Sequence, residues 1–165
     1  MLNIGQIVIY NTYGVCKVSE IIHRELGGVS KQYFVLHPLH DEKASVFLPV
    51  DNQELLNRAR PILSKDEVEK LVLAFPLQPL NWIDNENERK KTYSQIIKDG
   101  NRYELISVLK SIYNHKNILK DKKKKLHATD EQFFKEAETL LFDEIAYVLN
   151  IEKNSVFDLI TKQFE

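Results

Sequence analysis

The stretch "IGQIVIYNTYGVCKVSEI", residues 4–21, decides how the chain begins to fold. It contains a run of β-branched and aromatic residues at 6–10 and most of a second run at 15–22, joined by the turn sequence "NTYG". Such residues favour strands, and a short polar segment ending in glycine favours a turn between them. The stretch therefore predicts two short strands joined by a turn.

The residues that follow continue this pattern. "KQYFVLH" (31–37) and "ASVFLPV" (44–50) are two more strand candidates, and turn signals stand before them at "GG" (27–28) and "PLHDEK" (38–43). Four or five short antiparallel strands in about sixty residues are typical of a small curled sheet or barrel, SH3-like or Tudor-like. We therefore assign residues 1–60 to one small β-domain.

After Pro61 the hydrophobic period becomes that of helices. Ser64 and Glu67 stand in capping-box positions and begin the first helix. Four more helices are predicted. The first spans about 84–98 and is stopped by Gly100, and the second begins after a cap at Asn101. The third spans about 130–149 after a Thr129–Gln132 cap, and the last covers about 153–163. The predicted fold class is thus α+β: the β-domain is followed by an all-helical domain of about five helices, residues 61–165.

Composition limits the class of protein. The chain has 165 residues, a net charge of −1 and one cysteine, Cys16, so a disulfide within the chain is excluded. No apolar run reaches the roughly 18 residues of a membrane span, and the N-terminus becomes polar too early for a secretory signal. We expect a cytoplasmic protein that does not contact membranes.

The distribution of charge is more informative than its sum. Residues 86–125 carry twelve basic and five acidic side chains, a net +7, whereas residues 126–165 carry a net −6. This asymmetry predicts a local anion-binding surface in the helical half. The run "KDKKKK" (120–125) is equally compatible with a DNA contact and with a solvated loop between helices.

Signals for catalysis are weak. None of the five glycines belongs to a phosphate-binding loop motif. His37, His40 and Asp41 in "HPLHD" could be drawn as metal ligands, but no further ligand is signalled nearby. Cys16 lies in a predicted strand, which favours a buried structural thiol over a nucleophile. We expect no enzyme, no metal, no cofactor and no small-molecule substrate.

The C-terminal stretch 143–164 has the apolar spacing of a helix-turn-helix. It lies in the acidic block, however, and a recognition helix that carries Asp158 would meet DNA phosphates with the wrong sign of charge. We therefore expect this pair of helices to close the bundle.

The only tryptophan, Trp82, follows Pro76 and Pro79 and precedes a polar run from Asp84 to Arg89. A large aromatic side chain usually seeks burial. From the residues alone, the favoured interpretation is a half-buried ring that packs between the two domains.

The N-terminal half resembles the CarD/CdnL family of bacterial transcription regulators. The resemblance rests on residues 4–21, on "KQYFVLHP" and "SVFLPVDN", and on the matching positions Gly5, Val8, Tyr10, Gly14 and Val15. Gln6, Asn11, Tyr13 and Cys16 depart from the family pattern. In the other half "NW" (81–82), "DGN" (99–101) and the helix after "LHATDEQ" also fit, and helicase motifs are absent.

The resemblance implies that the Tudor-like domain binds the RNA polymerase β subunit, by addition of a strand at the edge of its sheet. The implied contact residues are Arg24, Ser45, Val46, Phe47 and Leu48. Phe47 replaces a basic residue found in some members, so the contact is expected to be more apolar and less salt-sensitive, or to differ in register.

The resemblance also implies that Trp82 is a wedge in the minor groove at the upstream edge of the transcription bubble. Basic residues would hold the DNA backbone around it: Arg89, Lys90, Lys91, Lys122, Lys123, Lys124 and Lys125. The expected function is stabilisation of the promoter open complex through weak, sequence-nonspecific DNA contacts. The alternative is an adaptor on the polymerase that does not contact DNA.

Overall fold

The computed structural model describes residues 1–79 and 81–162, and the chain divides into two compact units, Met1–Ile62 and Leu63–Glu165. The first unit contains the five strands of the described chain, and the second contains the long helices. The predicted α+β architecture is confirmed.

The first unit is built on one five-stranded antiparallel sheet with the strand order β4-β3-β2-β1-β5. Its strands are β1 (Ile7–Tyr10), β2 (Val15–Leu26), β3 (Val29–Pro38), β4 (Val46–Pro49) and β5 (Ala59–Pro61). A 3-10 turn at Asn11–Tyr13 joins β1 to β2, where the sequence predicts a turn. A short helix, α1 (Gln53–Leu56), precedes β5.

The β2–β3 hairpin is longer than predicted. Leu26 pairs with Val29, so Gly27 and Gly28 form a two-residue turn with φ values of 60° and 78°. Two consecutive positive φ angles suit glycine and match the twist of a tight hairpin. The far end of the hairpin is exposed on both faces, so it lacks the alternating burial from which strands are predicted. The sequence pattern therefore underestimates the lengths of β2 and β3.

The sheet encloses a small apolar core. Its buried members are Val8, Tyr10, Cys16, Val18, Phe34, Leu36 and Leu48. Burial raises the pKa of the Cys16 thiol to about 12, which keeps it protonated and unreactive at neutral pH. Cys16 is a structural residue, as predicted.

In its described residues, 63–79 and 81–162, the second unit is a bundle of five helices: α2 (Lys65–Ala74), α3 (Glu86–Asp99), α4 (Arg102–Asp121), α5 (Ala128–Leu149) and α6 (Lys153–Thr161). Local signals place several of their ends correctly. Ser64 and Glu67 form the complete capping box, Gly100 ends α3 at a φ of 65°, and Asn101 accepts bonds from the first turn of α4.

The start of α5 differs from the prediction. The helix begins at Ala128, so Thr129 lies inside the first turn, and His127 takes the capping position. No side chain of the described residues caps the helix at that point. Asp130, in this first turn, instead binds a side chain of α3. The start of α5 is thus tied by a tertiary contact and not by a local cap.

The bundle core includes residues of every helix in the unit. Ile145 of α5 packs there with Val156 and Ile160 of α6, so the last two helices close the bundle as predicted. Among the helices of residues 1–79 and 81–162, none is long and apolar enough to cross a membrane.

Candidate strand-addition edge and nucleic-acid interface

Strand β4 forms one edge of the described sheet. The Val50 N–H donates to the Gln32 carbonyl of β3 at 3.0 Å. Backbone groups alternate in direction along an antiparallel strand, so Leu48 and Val46 also direct theirs towards β3. The N–H and C=O of Phe47 consequently point away from the sheet, where a partner strand can pair.

The side chains of this edge separate into two groups. Leu48 is 2% exposed and belongs to the core, and Val46 packs against that core. Ser45, Phe47 and Arg24 are exposed, and the Arg24 guanidinium carbon lies 3.9 Å from the centre of the Phe47 ring. The structure therefore brings Arg24 and Phe47 together at the surface as a cation–π pair. It places Leu48 where its side chain stabilises the fold.

The "HPLHD" segment (37–41) begins with the last two residues of β3 and continues into the connection to β4. His37 Nδ1 is 3.1 Å from the Ala44 carbonyl oxygen and 3.3 Å from Ser45 Oγ, so this ring organises the loop. Within the described residues, no group of three or more His, Cys, Asp or Glu side chains is arranged to hold a metal ion.

In the helical unit, the segment that carries Trp82 is fastened to α3 and α4. The Asn81 N–H donates to Ser111 Oγ at 2.7 Å, and the Tyr93 hydroxyl donates to the Asn81 carbonyl at 2.9 Å. Burial raises the pKa of Tyr93 to about 12, so its hydroxyl remains a donor. Lys110 donates to the carbonyls of Pro76 and Gln78 earlier in the segment.

Arg89 holds the backbone that follows Trp82 in the chain. Its guanidinium donates to both carboxylate oxygens of Asp130, at 2.8 and 2.9 Å, and to the carbonyls of Ile83 and Asp84. Arg89 is 3% exposed and Asp130 is 1% exposed. The hydrogen bond with Asp130 raises the pKa of Arg89.

These bonds correct the expected role of Arg89. Its donors are directed at Asp130 and at two backbone carbonyls, so in this structure Arg89 positions the segment and its guanidinium is not directed at the surface. The sequence contains one signal of this: Arg89 precedes Tyr93 by four residues and Ile97 by eight, on the buried face of α3. Lys90 and Lys91 do not share this four-residue spacing with Tyr93 and Ile97.

The indole of Trp82 has a neighbour on each face. The His115 ring is stacked on it, with centroids 3.6 Å apart and planes inclined by 10°. The Arg89 guanidinium carbon lies 4.4 Å from the indole centre. Two groups this close above one ring centre would collide on the same side, so they cover opposite faces. Trp82 also packs against the bundle core and is half-buried. Because both faces are covered, the rim is the part of the indole that remains for contact with a partner.

Four exposed lysines, residues 122–125, form the connection between α4 and α5, here called the lysine loop. The Lys124 N–H donates to the Leu119 carbonyl at 2.8 Å and closes the end of α4. The pKa of His115 is lowered first by burial, then by Arg89, and in part by Lys122. Lys122 follows His115 by seven residues, about two turns of α4, so the lysine loop begins at the end of the helix face that carries His115.

Two further predicted contact residues lie on α3. Lys91 is exposed, whereas Lys90 forms an ion pair of 2.6 Å with Glu86 one turn earlier. An exposed pair of this kind contributes little to stability and can open to another anion.

Sequence reasoning missed three residues that shape this unit: His115, Asp130 and Glu144. Glu144 is buried, binds the Arg102 guanidinium through both carboxylate oxygens, and accepts the Leu63 N–H at 3.0 Å. Each of the three meets a partner from another element. Local spacing contains no signal for such partners.

The chain thus consists of a small sheet with an outward-directed edge strand and a helical bundle that carries a half-buried tryptophan and a loop of four exposed lysines. Comparison with family models gives its family. Residues 2–60 match the CarD-like/TRCF RID domain, and residues 78–161 match the C-terminal domain of CarD. The chain belongs to the CarD/CdnL family.

No individually curated protein matches the chain. The family is one of non-enzymatic transcription factors, so this is a transcription-related protein that interacts with RNA polymerase.

Proposed function

We propose that the protein docks on the RNA polymerase β subunit through the outer edge of β4 and stabilises the promoter open complex through Trp82 and the lysine loop. The observation that carries the proposal is the half-buried Trp82 ring, which has a neighbour on each face, in a unit whose α4–α5 connection carries four exposed lysines. Such a role belongs to the cytoplasm of a bacterial cell.

The polymerase contact is supported by the backbone of β4. Phe47 offers one donor and one acceptor at the edge, and strand addition uses main-chain groups of this kind for affinity. The Arg24–Phe47 pair lies beside them and supplies side-chain recognition. Val46 and Leu48 support the strand from the core side.

The DNA contact is supported by the combination of wedge and charge. An apolar edge inserted at a distorted base step exchanges an unstacking cost of about a few kcal/mol for contact with deformed DNA. Lysines of the loop, with Lys91 and Lys90, are then available for flanking phosphates without regard to sequence. Docking on polymerase raises the effective concentration of this weak contact.

We expect Trp82→Phe to shorten the open-complex lifetime by about tenfold, because phenylalanine keeps a stacked ring but withdraws the indole edge from the DNA. The measurement is the lifetime of the open complex on a weakly melting promoter with the cognate polymerase. The melting temperature of the free protein is measured alongside it and is expected to change little.

Trp82→Ala is the matched comparison, since it removes the stack as well. An unchanged lifetime with Trp82→Phe, together with a large fall in melting temperature with Trp82→Ala, would show that the ring acts only in packing.

Neutralising part of the lysine loop is expected to weaken DNA binding and to reduce its salt dependence. For Lys123→Gln with Lys124→Gln, the log–log salt slope should fall by up to about 1.8, or about 0.9 for each lost phosphate contact. The measurement is binding of the full chain to a labelled duplex with a forked end. The control, Lys65→Gln with Lys70→Gln, removes the same charge from exposed positions of α2. Equal slopes for the two variants would exclude a specific role of the loop.

The adaptor without DNA contact is the second candidate, and it is supported by the coverage of both indole faces. In that case the wild-type protein would bind polymerase, while changes at Trp82 and in the lysine loop would leave promoter complexes unaltered.

A further inference from the structure

We propose that His115 is a positioning residue for Trp82, which holds the indole against Arg89 so that the ring can meet DNA only by its edge. This inference rests on the proposed function of Trp82 at the promoter. It assigns a role to a histidine on α4 that sequence reasoning does not single out.

The backbone on both sides of Trp82 is already fixed. Asn81 is bonded through its N–H and its carbonyl, and the Ile83 carbonyl accepts from Arg89 at 2.8 Å. The remaining freedom of Trp82 is therefore rotation of its side chain. A ring held between two stacked groups cannot rotate without losing one of them, so the stack decides which part of the indole is exposed.

The two groups that hold the ring differ in rigidity. Arg89 is immobilised by the two hydrogen bonds that its guanidinium donates to the buried Asp130 carboxylate. His115 is attached to α4 on the face that continues from buried Ile112, three residues earlier. Arg89 thus forms the fixed side of the clamp, and His115 closes it from α4.

The clamp restricts how the ring can contact DNA. Intercalation between base pairs requires both faces of an aromatic ring to be free, because bases stack on the faces. Here His115 and Arg89 occupy those faces. An edge-first wedge needs only the rim, and this is the one mode that preserves the clamp.

The charge on His115 is set by groups from several elements. Arg89 of α3 and Lys122 after α4 oppose its protonation, whereas Asp130 of α5 and Asp84 favour it. Burial has the largest effect, and the net result is a lowered pKa. The lowered pKa favours the neutral imidazole at neutral pH.

Trp82 is the only tryptophan, so its fluorescence reports the clamp directly. We expect His115→Ala to increase quenching of Trp82 emission by acrylamide, because one face of the ring becomes accessible. In the wild-type protein, Trp82 emission should also decrease when the pH is lowered and His115 is protonated, because an imidazolium quenches a neighbouring indole. This pH-dependent decrease should be absent from His115→Ala. Alanine is well tolerated in a helix, so the bundle should remain folded.

The same variant is tested in the open-complex assay with the full-length protein. The loss of one stacked aromatic partner should shorten the lifetime by about two- to tenfold. His115→Phe restores a stacked ring without a titratable group, so it should recover the lifetime and the protection from acrylamide but not the pH-dependent step.

The outcomes separate this inference from the function on which it rests. Unchanged acrylamide quenching in His115→Ala would overturn the clamp, whatever the promoter result. Increased quenching with an unchanged lifetime, while Trp82→Phe shortens it, would overturn the positioning role and leave the wedge intact. If the wild-type protein does not lengthen the lifetime, the proposed function itself fails, and fluorescence then decides only whether the clamp exists.

Discussion

Asp130→Ala is expected to destabilise the helical unit by about 3–5 kcal/mol, because it leaves the Arg89 guanidinium buried without its carboxylate partner. Both side chains are almost completely removed from water, and two hydrogen bonds join them. Arg89 also fastens the Ile83 and Asp84 carbonyls, so the segment around Trp82 should loosen in the same variant.

Chemical denaturation followed by helical circular dichroism measures this effect. Lys90→Ala is the matched control, since Lys90 is the next residue of α3 and its pair with Glu86 is exposed. An exposed pair contributes about 0–1 kcal/mol. If Asp130→Ala costs no more than Lys90→Ala, the buried pair does not stabilise the bundle, and the description of Arg89 as the fixed side of the clamp is wrong.

Phe47→Pro is expected to reduce polymerase binding by about a hundredfold while leaving the sheet folded. Proline removes the N–H that points away from the sheet, and its ring obstructs an incoming strand. The bonds between β4 and β3 involve the alternate residues, so they are not lost, and edge strands tolerate proline. Loss of one net hydrogen bond accounts for about tenfold and steric exclusion for the remainder.

The measurement is binding of the full chain to the isolated polymerase β subunit. Phe47→Ala is the control, because it retains the N–H and removes only the aromatic ring that faces Arg24. A modest loss with alanine and a large loss with proline would indicate strand addition. Equal losses would assign the affinity to the Arg24–Phe47 pair, and no loss in either variant would move the docking surface away from β4.

Much of the fold was predictable because its signals are local. The Ser64–Glu67 box, the left-handed Gly100 and the Asn101 cap act within a few residues of the sequence and place the helix ends where they are found. Where burial does not alternate, as at the far end of the β2–β3 hairpin, the same approach fails. It also misses α1 and β5, which have four and three residues and are too short to show a period.

In the candidate site, too, the features with a local sequence signal were predicted and those that depend on tertiary contacts were not. Trp82 and the lysine loop stand out in the sequence by composition, and the family match agrees with the resemblance seen in both halves. The roles of neighbouring residues were less accessible. Thr129 was expected to cap α5, yet it lies inside the helix, whose first turn also holds Asp130 in its contact with Arg89.

The sequence by itself therefore determined the fold class, the order of the elements, the family and the position of the single tryptophan. Only the tertiary structure decided which basic residues face water. "RKK" at 89–91 is one uniform run of positive charge in the sequence, but Arg89 is buried and Lys91 is exposed. The physical reason is that a charge is stable in the interior only beside a partner, and the partner of Arg89 is Asp130 on another helix.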